Sequence, residues 1–237
     1  MKGLPLYILL YILSLASCSE QCNITGNSSV GSLDGQILYL RVRPDGITSV
    51  CMDSCEVIHG RFSFYSDVDS VVVAQLFMGD ESVMPLVLEN GNLSVEVDHT
   101  GQRVSGGPFN DRLYQFVQEK SRLENEQWEL DQRCIRMMHE GYSPTEIHRT
   151  IGPQAKKLAQ EIENLENKFI MDNYMNPLGP GVFMLLFGQY PMPVMTEQIQ
   201  RIVKQAPPSF MHNPFVRNYV RQARYNQIEE EKKNRAE

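Results

Sequence analysis

From Gln36 to about Val104 the apolar residues fall in short or alternating runs, at 36–43, 47–58, 61–65, 70–77, 85–89 and 93–98. Asp45-Gly46, His59-Gly60, Asn90-Gly91 and Thr100-Gly101 separate several of them. Asp-Gly and Asn-Gly accept the positive φ that tight hairpin turns require, so this stretch predicts strands joined by short turns. Strands at such spacing predict a small antiparallel β-sandwich or open barrel. Leu93, Val95 and Val97 alternate with Ser94, Glu96 and Asp98, as in a strand wet on one face. Val71 to Leu76 lacks that alternation and belongs in the middle of a sheet.

After Gly106-Gly107-Pro108 the period changes. Leu113, Phe116, Val117, Leu123, Leu130, Cys134 and Met137 recur at three- and four-residue steps or their sums, which predicts one amphipathic helix over 111–139 with Asn110 as its N-cap and Gly141 as its end. Ser143-Pro144-Thr145-Glu146 is a capping box with proline at the first helical position. Pro153 is expected to split the helical segment after that box into a short helix and a longer one over 153–174, whose Leu158, Ile162, Leu165 and Phe169 form a second stripe. The two stripes predict an antiparallel helical hairpin. Pro177 to Val194 is the most apolar stretch after the N-terminal segment, and its length suits a buried core helix better than a membrane span. Thr196 caps a helix to Ala206, Pro207-Pro208 stops it, and Asn213-Pro214 opens a last helix whose charged distal part is expected to fray. The fold class is therefore α+β, a small antiparallel β-sandwich or open barrel over 35–106 followed by an all-α helical region over 107–237.

The N-terminus reads differently. Residues 1–17 carry a charge at Lys2, an apolar run from Leu4 to Ala16 broken by Pro5 and Ser14, and small residues before Cys18, the layout of a secretory signal peptide. The run is shorter than the ~20 residues a spanning helix needs. Leu15-Ala16-Ser17-Cys18 resembles the lipobox of bacterial lipoproteins, in which the cysteine receives a diacylglycerol and becomes the new N-terminus. Cys18 is thus the expected lipidation site, and the membrane a partner through that anchor rather than through a span. Ser19 is not the aspartate that retains enteric-type lipoproteins at the inner membrane, which favours an outer-membrane address. Residues 18–34, rich in Ser, Asn, Gln and Gly, read as a flexible tether. Asn23, Asn27 and Asn92 open Asn-x-Ser/Thr triplets, glycosylation acceptors only under a eukaryotic secretory reading.

A net charge of −7 argues against a general nucleic-acid binder, and the basic residues from Arg217 to Arg235 are interleaved with Glu229, Glu230, Glu231 and Glu237, as on a solvated helix face. Besides Cys18 there are Cys22, Cys51, Cys55 and Cys134. An even count in an exported chain permits disulfides, but the spacing gives no framework. On one extended strand Cys51 and Cys55 stand about 13 Å apart, beyond the ~7 Å a disulfide tolerates. They pair only if a turn intervenes, and neither belongs to a Cys-x-x-Cys. A metal site built from Cys22, Cys51 and Cys55 lacks a second Cys/His pair at ligand spacing. Gly-x-Ser-x-Gly, His-Glu-x-x-His and the phosphate-cradling Gly-x-x-x-x-Gly-Lys are all absent from the sequence. His59, His99, His139, His148 and His212 lie far apart along it, and Glu89 and Asp98 read as solvated carboxylates flanking a turn. No catalytic residue, metal or cofactor is implied.

Asp53-Ser54, Gly60-Arg61-Phe62-Ser63-Phe64, Pro85-Leu86-Val87-Leu88-Glu89-Asn90-Gly91 and Val104-Ser105-Gly106-Gly107-Pro108-Phe109-Asn110-Asp111 together resemble the domain of unknown function that precedes the thioredoxin-like domain in thiol:disulfide interchange lipoproteins of Bacteroidetes. Asn176-Pro177-Leu178-Gly179 and Asn213-Pro214-Phe215 are similar to that family's helical connector, so the resemblance spans about 31–225, here without the thioredoxin-like domain. Asp69-Ser70-Val71 resembles the O-glycosylation motif of the same bacteria. The resemblance implies a non-catalytic cell-envelope lipoprotein whose β domain and helical region bind a partner or ligand. The alternative it leaves open is an accessory in thiol-disulfide exchange, acting through Cys51 and Cys55 or beside a separate thioredoxin-like protein. Cys55 stands where the family generally has a small residue, which favours packing over chemistry.

Overall fold

The structure, a computed structural model, describes residues 21–43, 48–67, 69–190 and 192–236. Eight strands come first: β1 (Gln21–Ser28), β2 (Ile37–Val42), β3 (Val50–Glu56), β4 (Arg61–Asp67), β5 (Val72–Met78), β6 (Glu81–Leu88), β7 (Gly91–Val97) and β8 (Gln102–Ser105). Six α-helices follow among the described residues: α1 (Pro108–His139), α2 (Pro144–Asp172), α3 (Leu178–Phe187), α4 (Glu197–Gln205), α5 (Pro208–His212) and α6 (Pro214–Ala236). The strands form two four-stranded sheets, β4-β1-β7-β8 and β3-β2-β5-β6. The α+β architecture is as the pattern predicts, in two open sheets rather than a closed barrel. The first sheet is mixed, because β1 runs parallel to β7 while every other pair is antiparallel.

That parallel pair corrects the expected tether. Residues 21–28 are a central strand, with Cys22, Ile24 and Gly26 facing Gly91, Leu93 and Val95 of β7 and Ser66, Phe64 and Phe62 of β4. Cys22 and Ile24 are buried in the core. Composition misleads here because Asn, Gly and Ser have low strand propensity. The side chains of Asn23 and Asn92 instead hydrogen-bond to each other across the pair at 3.2 Å. Cys18, the signal segment and the Asp45-Gly46 turn lie outside the described residues.

Between β3 and β4, His59 (φ 51°) and Gly60 (φ 73°) form the two-residue turn with positive φ at both positions, closed by Ile58 and Arg61 exchanging both backbone hydrogen bonds. Pro153 does not split α2, which runs through it. The residue before a proline is crowded in helical conformation chiefly through its Cβ, and here that residue is Gly152. The apolar stretch from Pro177 is a shorter helix than its hydropathy suggests, ending at Gly188, with Leu178, Val182, Phe183 and Phe187 buried. Among the described residues no helix is long and apolar enough to cross a membrane.

Sheets and helices share one core. Leu38, Leu40, Leu76 and Leu86 of one sheet, Ile24, Phe64, Leu93 and Val95 of the other, and Leu113, Ile170, Phe183, Ile202, Phe210 and Val220 of the helices belong to a single apolar cluster. Within the helical part the ring of Phe183 packs on Phe187, Phe210 and Tyr219 at centroid distances of 5.0, 5.9 and 5.5 Å.

The two parts are joined along the free edge of β6. The carboxylate of Glu89 is buried (3 % exposed) and accepts the first backbone N–H groups of α1, from Phe109 at 3.2 Å and Asn110 at 2.9 Å. It therefore performs the capping that the sequence assigned to Asn110. Asn110 sits inside the helix, fully buried, and its amide pairs with Val87 as a neighbouring strand would, accepting from the Val87 N–H at 2.9 Å and donating to its carbonyl at 2.8 Å. The same amide donates to Glu89 at 2.8 Å. One turn on, the Tyr114 hydroxyl donates to the Pro85 carbonyl at 2.7 Å. Pro85 is tolerated because β6 is an edge strand, where a missing N–H breaks no ladder.

The approach demands glycine on both sides of the joint. A Cβ on Gly106, already at φ 108°, would lie 2.3 Å from the Asn92 carbonyl oxygen, and one on Gly107 would lie 2.3 Å from the Glu89 carboxylate. Glu89→Ala and Asn110→Ala each leave buried backbone groups unpaired and are expected to cost about 2–3 kcal/mol, read as a lowered urea midpoint. Gly107→Ala is expected to destabilise as well, whereas Asp111→Ala, one position beyond the bonded pair, is expected to shift the midpoint far less.

Candidate functional site

The cysteines come first because the exchange alternative rests on them. Cys51 and Cys55 both lie on β3, opposite Arg41 and Leu38 of β2, with a register shift between Leu40 and Arg41. The register shift takes up Met52, so the two cysteines face strand partners three residues apart, about 10 Å at ~3.3 Å per residue and still beyond the ~7 Å a disulfide tolerates, and both are free thiols. Cys51 is exposed and its thiol donates to the Asp53 carbonyl at 3.3 Å. Burial pushes the Cys55 thiol above its ordinary pKa, and the nearby Asp53 charge pushes the same way. Burial likewise raises the thiol of Cys22. Raised thiols carry less thiolate at neutral pH and are slower nucleophiles. Cys134 sits at the far end of the α1–α2 hairpin, in contact with neither group. Among the described residues no three His, Cys, Asp or Glu side chains converge where they could hold a metal ion.

The two connector motifs turn out to be local turn chemistry. Asn176 accepts from the Leu178 N–H at 2.9 Å and donates to the Asn173 side chain at 2.9 Å, and Asn173, buried, also accepts from Arg112 at 3.1 Å and donates to the Phe169 carbonyl at 2.7 Å. Asn213 accepts from the Phe215 N–H at 3.0 Å and so opens α6. Helix α3 reaches the sheet at Gly181, where a Cβ would come within 2.2 Å of the Val73 side chain. Beside this contact lies a groove of about 410 Å³ lined by Val71, Val73, Tyr174, Met175, Pro177 and Phe215. It is a seam of mixed lining with no converging charged groups.

The projecting hairpin is the more distinctive surface. Helix α1 is 32 residues long, about 48 Å at 1.5 Å per residue. Its first half is seated in the main core through Leu113, Tyr114 and Phe116, with Phe116 stacked on Phe169 of α2 at 4.4 Å. Between Leu123 and Met137 no residue of α1 is buried. The distal arm is held by a second, separate cluster of Met137, Ile147 and Ile151 with Leu130, Cys134 and Ala155 packed against it. At its tip the Gly141 N–H returns to the Met138 carbonyl and the Tyr142 N–H to the Met137 carbonyl, both at 3.1 Å, a helix stop built on a glycine at φ 86°. The predicted capping box starts α2, with Ser143 and Glu146 bonded reciprocally.

Four large apolar side chains of this arm face solvent: Trp128 (62 % exposed), Ile135 (45 %), Met138 (58 %) and Tyr142 (48 %). Sequence reasoning missed them because it followed the stripe that packs on α2. The signal was present as the seven-residue step Trp128, Ile135, Tyr142.

Residues 22–113 match the family model described as Domain of unknown function (DUF4369). The DUF4369 match begins at Cys22, within β1, so it takes in the strand that composition assigns to a tether. It ends at Leu113, inside α1, and thus contains the whole Glu89–Asn110 joint and both Gly106 and Gly107 while stopping short of the arm. No curated protein matches the chain.

Cys51 is expected to react with a soluble maleimide in the native protein far faster than Cys22, which should label only on unfolding. Peptide mass spectrometry of a timed labelling series reads both rates, and equal rates would contradict the burial of β1.

Proposed function

We propose that the chain is a non-catalytic cell-envelope lipoprotein, anchored through a diacylglycerol on Cys18, whose DUF4369 region and helical arm form a binding scaffold for a protein partner. The observation that carries the reading is mechanical. A helix whose N-terminus is fixed by a buried carboxylate and whose first half lies in the common core holds its exposed apolar end at a set direction from the sheets. Exposed apolar patches with polar rims mark interaction surfaces more often than chance scatter does. The N-terminal segment supports the anchor through the lipobox resemblance of Leu15-Ala16-Ser17-Cys18, and Ser19 in place of a retaining aspartate favours an outer-membrane address.

The finer relation to the domain that precedes thioredoxin-like domains in Bacteroidetes lipoproteins belongs to the same proposal. It makes a separate envelope thioredoxin-like protein one partner class to test. The extended spacing of Cys51 and Cys55 gives no support to exchange by that pair within one chain.

Intact mass of the protein extracted from its native membrane is the deciding measurement, with denaturing alkylation before and after reduction. The expected species starts at a diacylated Cys18 and carries alkyl groups on Cys22, Cys51, Cys55 and Cys134 without reduction. An unlipidated mass removes the anchor. A lipidated species that alkylates only after reduction moves the role toward thiol-disulfide exchange.

A further inference from the structure

We infer that the outward face of the α1 arm docks a second copy of this chain, antiparallel, about a two-fold axis passing between Asp131 and Gln132. The inference rests on the proposed binding role and names the partner. Helical residues seven apart drift by only ~20° about the axis, so Trp128 and Ile135 share one face, with Met138 at its margin. That face is turned away from α2: the clefts on either side of the hairpin contact are lined by Glu126, Glu129, Arg133 and Arg136 on one flank and by Cys134, Met138 and Tyr142 on the other, and neither includes Trp128 or Ile135. Apolar residues repeating every seven positions on an exposed face are the pattern that a second helix covers.

The charges select the copy and its direction. Glu124, Glu126, Glu129 and Asp131 occupy the near half of the free segment 124–139, and Arg133, Arg136 and His139 the far half. Parallel docking of two copies sets acid on acid. Antiparallel docking sets each acidic half on the other copy's basic half, and the axis between Asp131 and Gln132 is the midpoint of the free segment, so the two arms overlap along all of it. In that register Trp128 meets Ile135 of the second copy and Ile135 meets its Trp128. A two-fold axis across the helices brings like flank to like flank, which places Arg136 within about 3 Å, along the axis, of Glu129 of the second copy, two residues at 1.5 Å each. Glu140 of the second copy comes level with Arg122 in the same way. Lys120 and Arg122, which already pair with Glu124 and with Glu119 and Glu126, then approach the C-terminal end of the other helix, where cations are favoured.

Trp128 is the chain's single tryptophan, so its fluorescence reports this face alone. In detergent solution the full chain is expected to sediment as a dimer at high concentration and to dissociate on dilution, with Trp128 emission moving to longer wavelength over the same range. Ile135→Glu abolishes both changes. Glu129→Lys and Arg136→Glu each weaken association about tenfold, and the two together restore it, a recovery that general damage to the arm would not produce. A wild-type chain that stays monomeric at every concentration overturns the inference, whether Trp128 emits as exposed or, covered by the chain's own residues, as buried. A dimer that Ile135→Glu leaves intact, or single reversals that the double variant does not repair, overturns it equally. The lipid mass and alkylation pattern are read independently, so a monomer removes the self-docking while leaving the envelope-lipoprotein reading to its own test.

Discussion

A buried carboxylate at the start of a helix decides how the two parts of this molecule sit together. Glu89 directly follows β6 and would be costly to bury unpaired. It is instead bonded to two backbone N–H groups of α1 and to the Asn110 amide, and the helix N-terminus offers partial positive charge besides. Asn110 completes the exchange by filling the ladder that the edge strand leaves open at Val87. Three problems are thereby solved at one place: the orphan N–H groups of the helix, the exposed edge of the sheet and the burial of an acid. Because each depends on the others, the joint is expected to fail as a unit, with little surviving from any one member alone.

The fold was legible where local chemistry and tertiary demand agree. The period change after Gly107, the capping box at Ser143, the cap at Thr196 and the turn at His59-Gly60 all stand where the pattern places them. The strand β1 was illegible because its identity is tertiary: Asn23 and Gly26 have little preference for extended backbone, and what holds them are two strands distant in sequence, β4 and β7. Strand β8 was missed for a related reason, being four residues long with a single buried side chain, Val104.

The site was less legible than the fold, and for a physical reason. Glu89 read as a solvated turn residue because a carboxylate next to Asn-Gly looks like turn chemistry in one dimension. Its burial depends on Gly106 and Gly107, which let the chain fold back within contact distance. The motif Pro85 to Gly91 and the motif Val104 to Asp111 were each visible as strings, and that they meet was not. Cys51 and Cys55 do share one strand, the condition on which their separation was argued, with a register shift between them that the pattern did not show.

The arm raises a question that internal packing does not answer. Its distal half is secured by local devices: the Lys120–Glu124, Arg122–Glu126 and Lys157–Glu161 pairs at four-residue spacing, the glycine stop at its tip and the capping box that starts the return helix. Each such element is worth a few tenths to about one kcal/mol, and the small cluster around Met137 adds apolar burial on the side facing α2. None of these engages Trp128 or Ile135. Replacing either by a charged residue should therefore leave the hairpin formed, since both side chains are exposed and lie outside its apolar cluster. Exposed tryptophan and isoleucine are unfavourable for solubility, so their presence on a helix that stands without them points to a requirement outside the chain's own core.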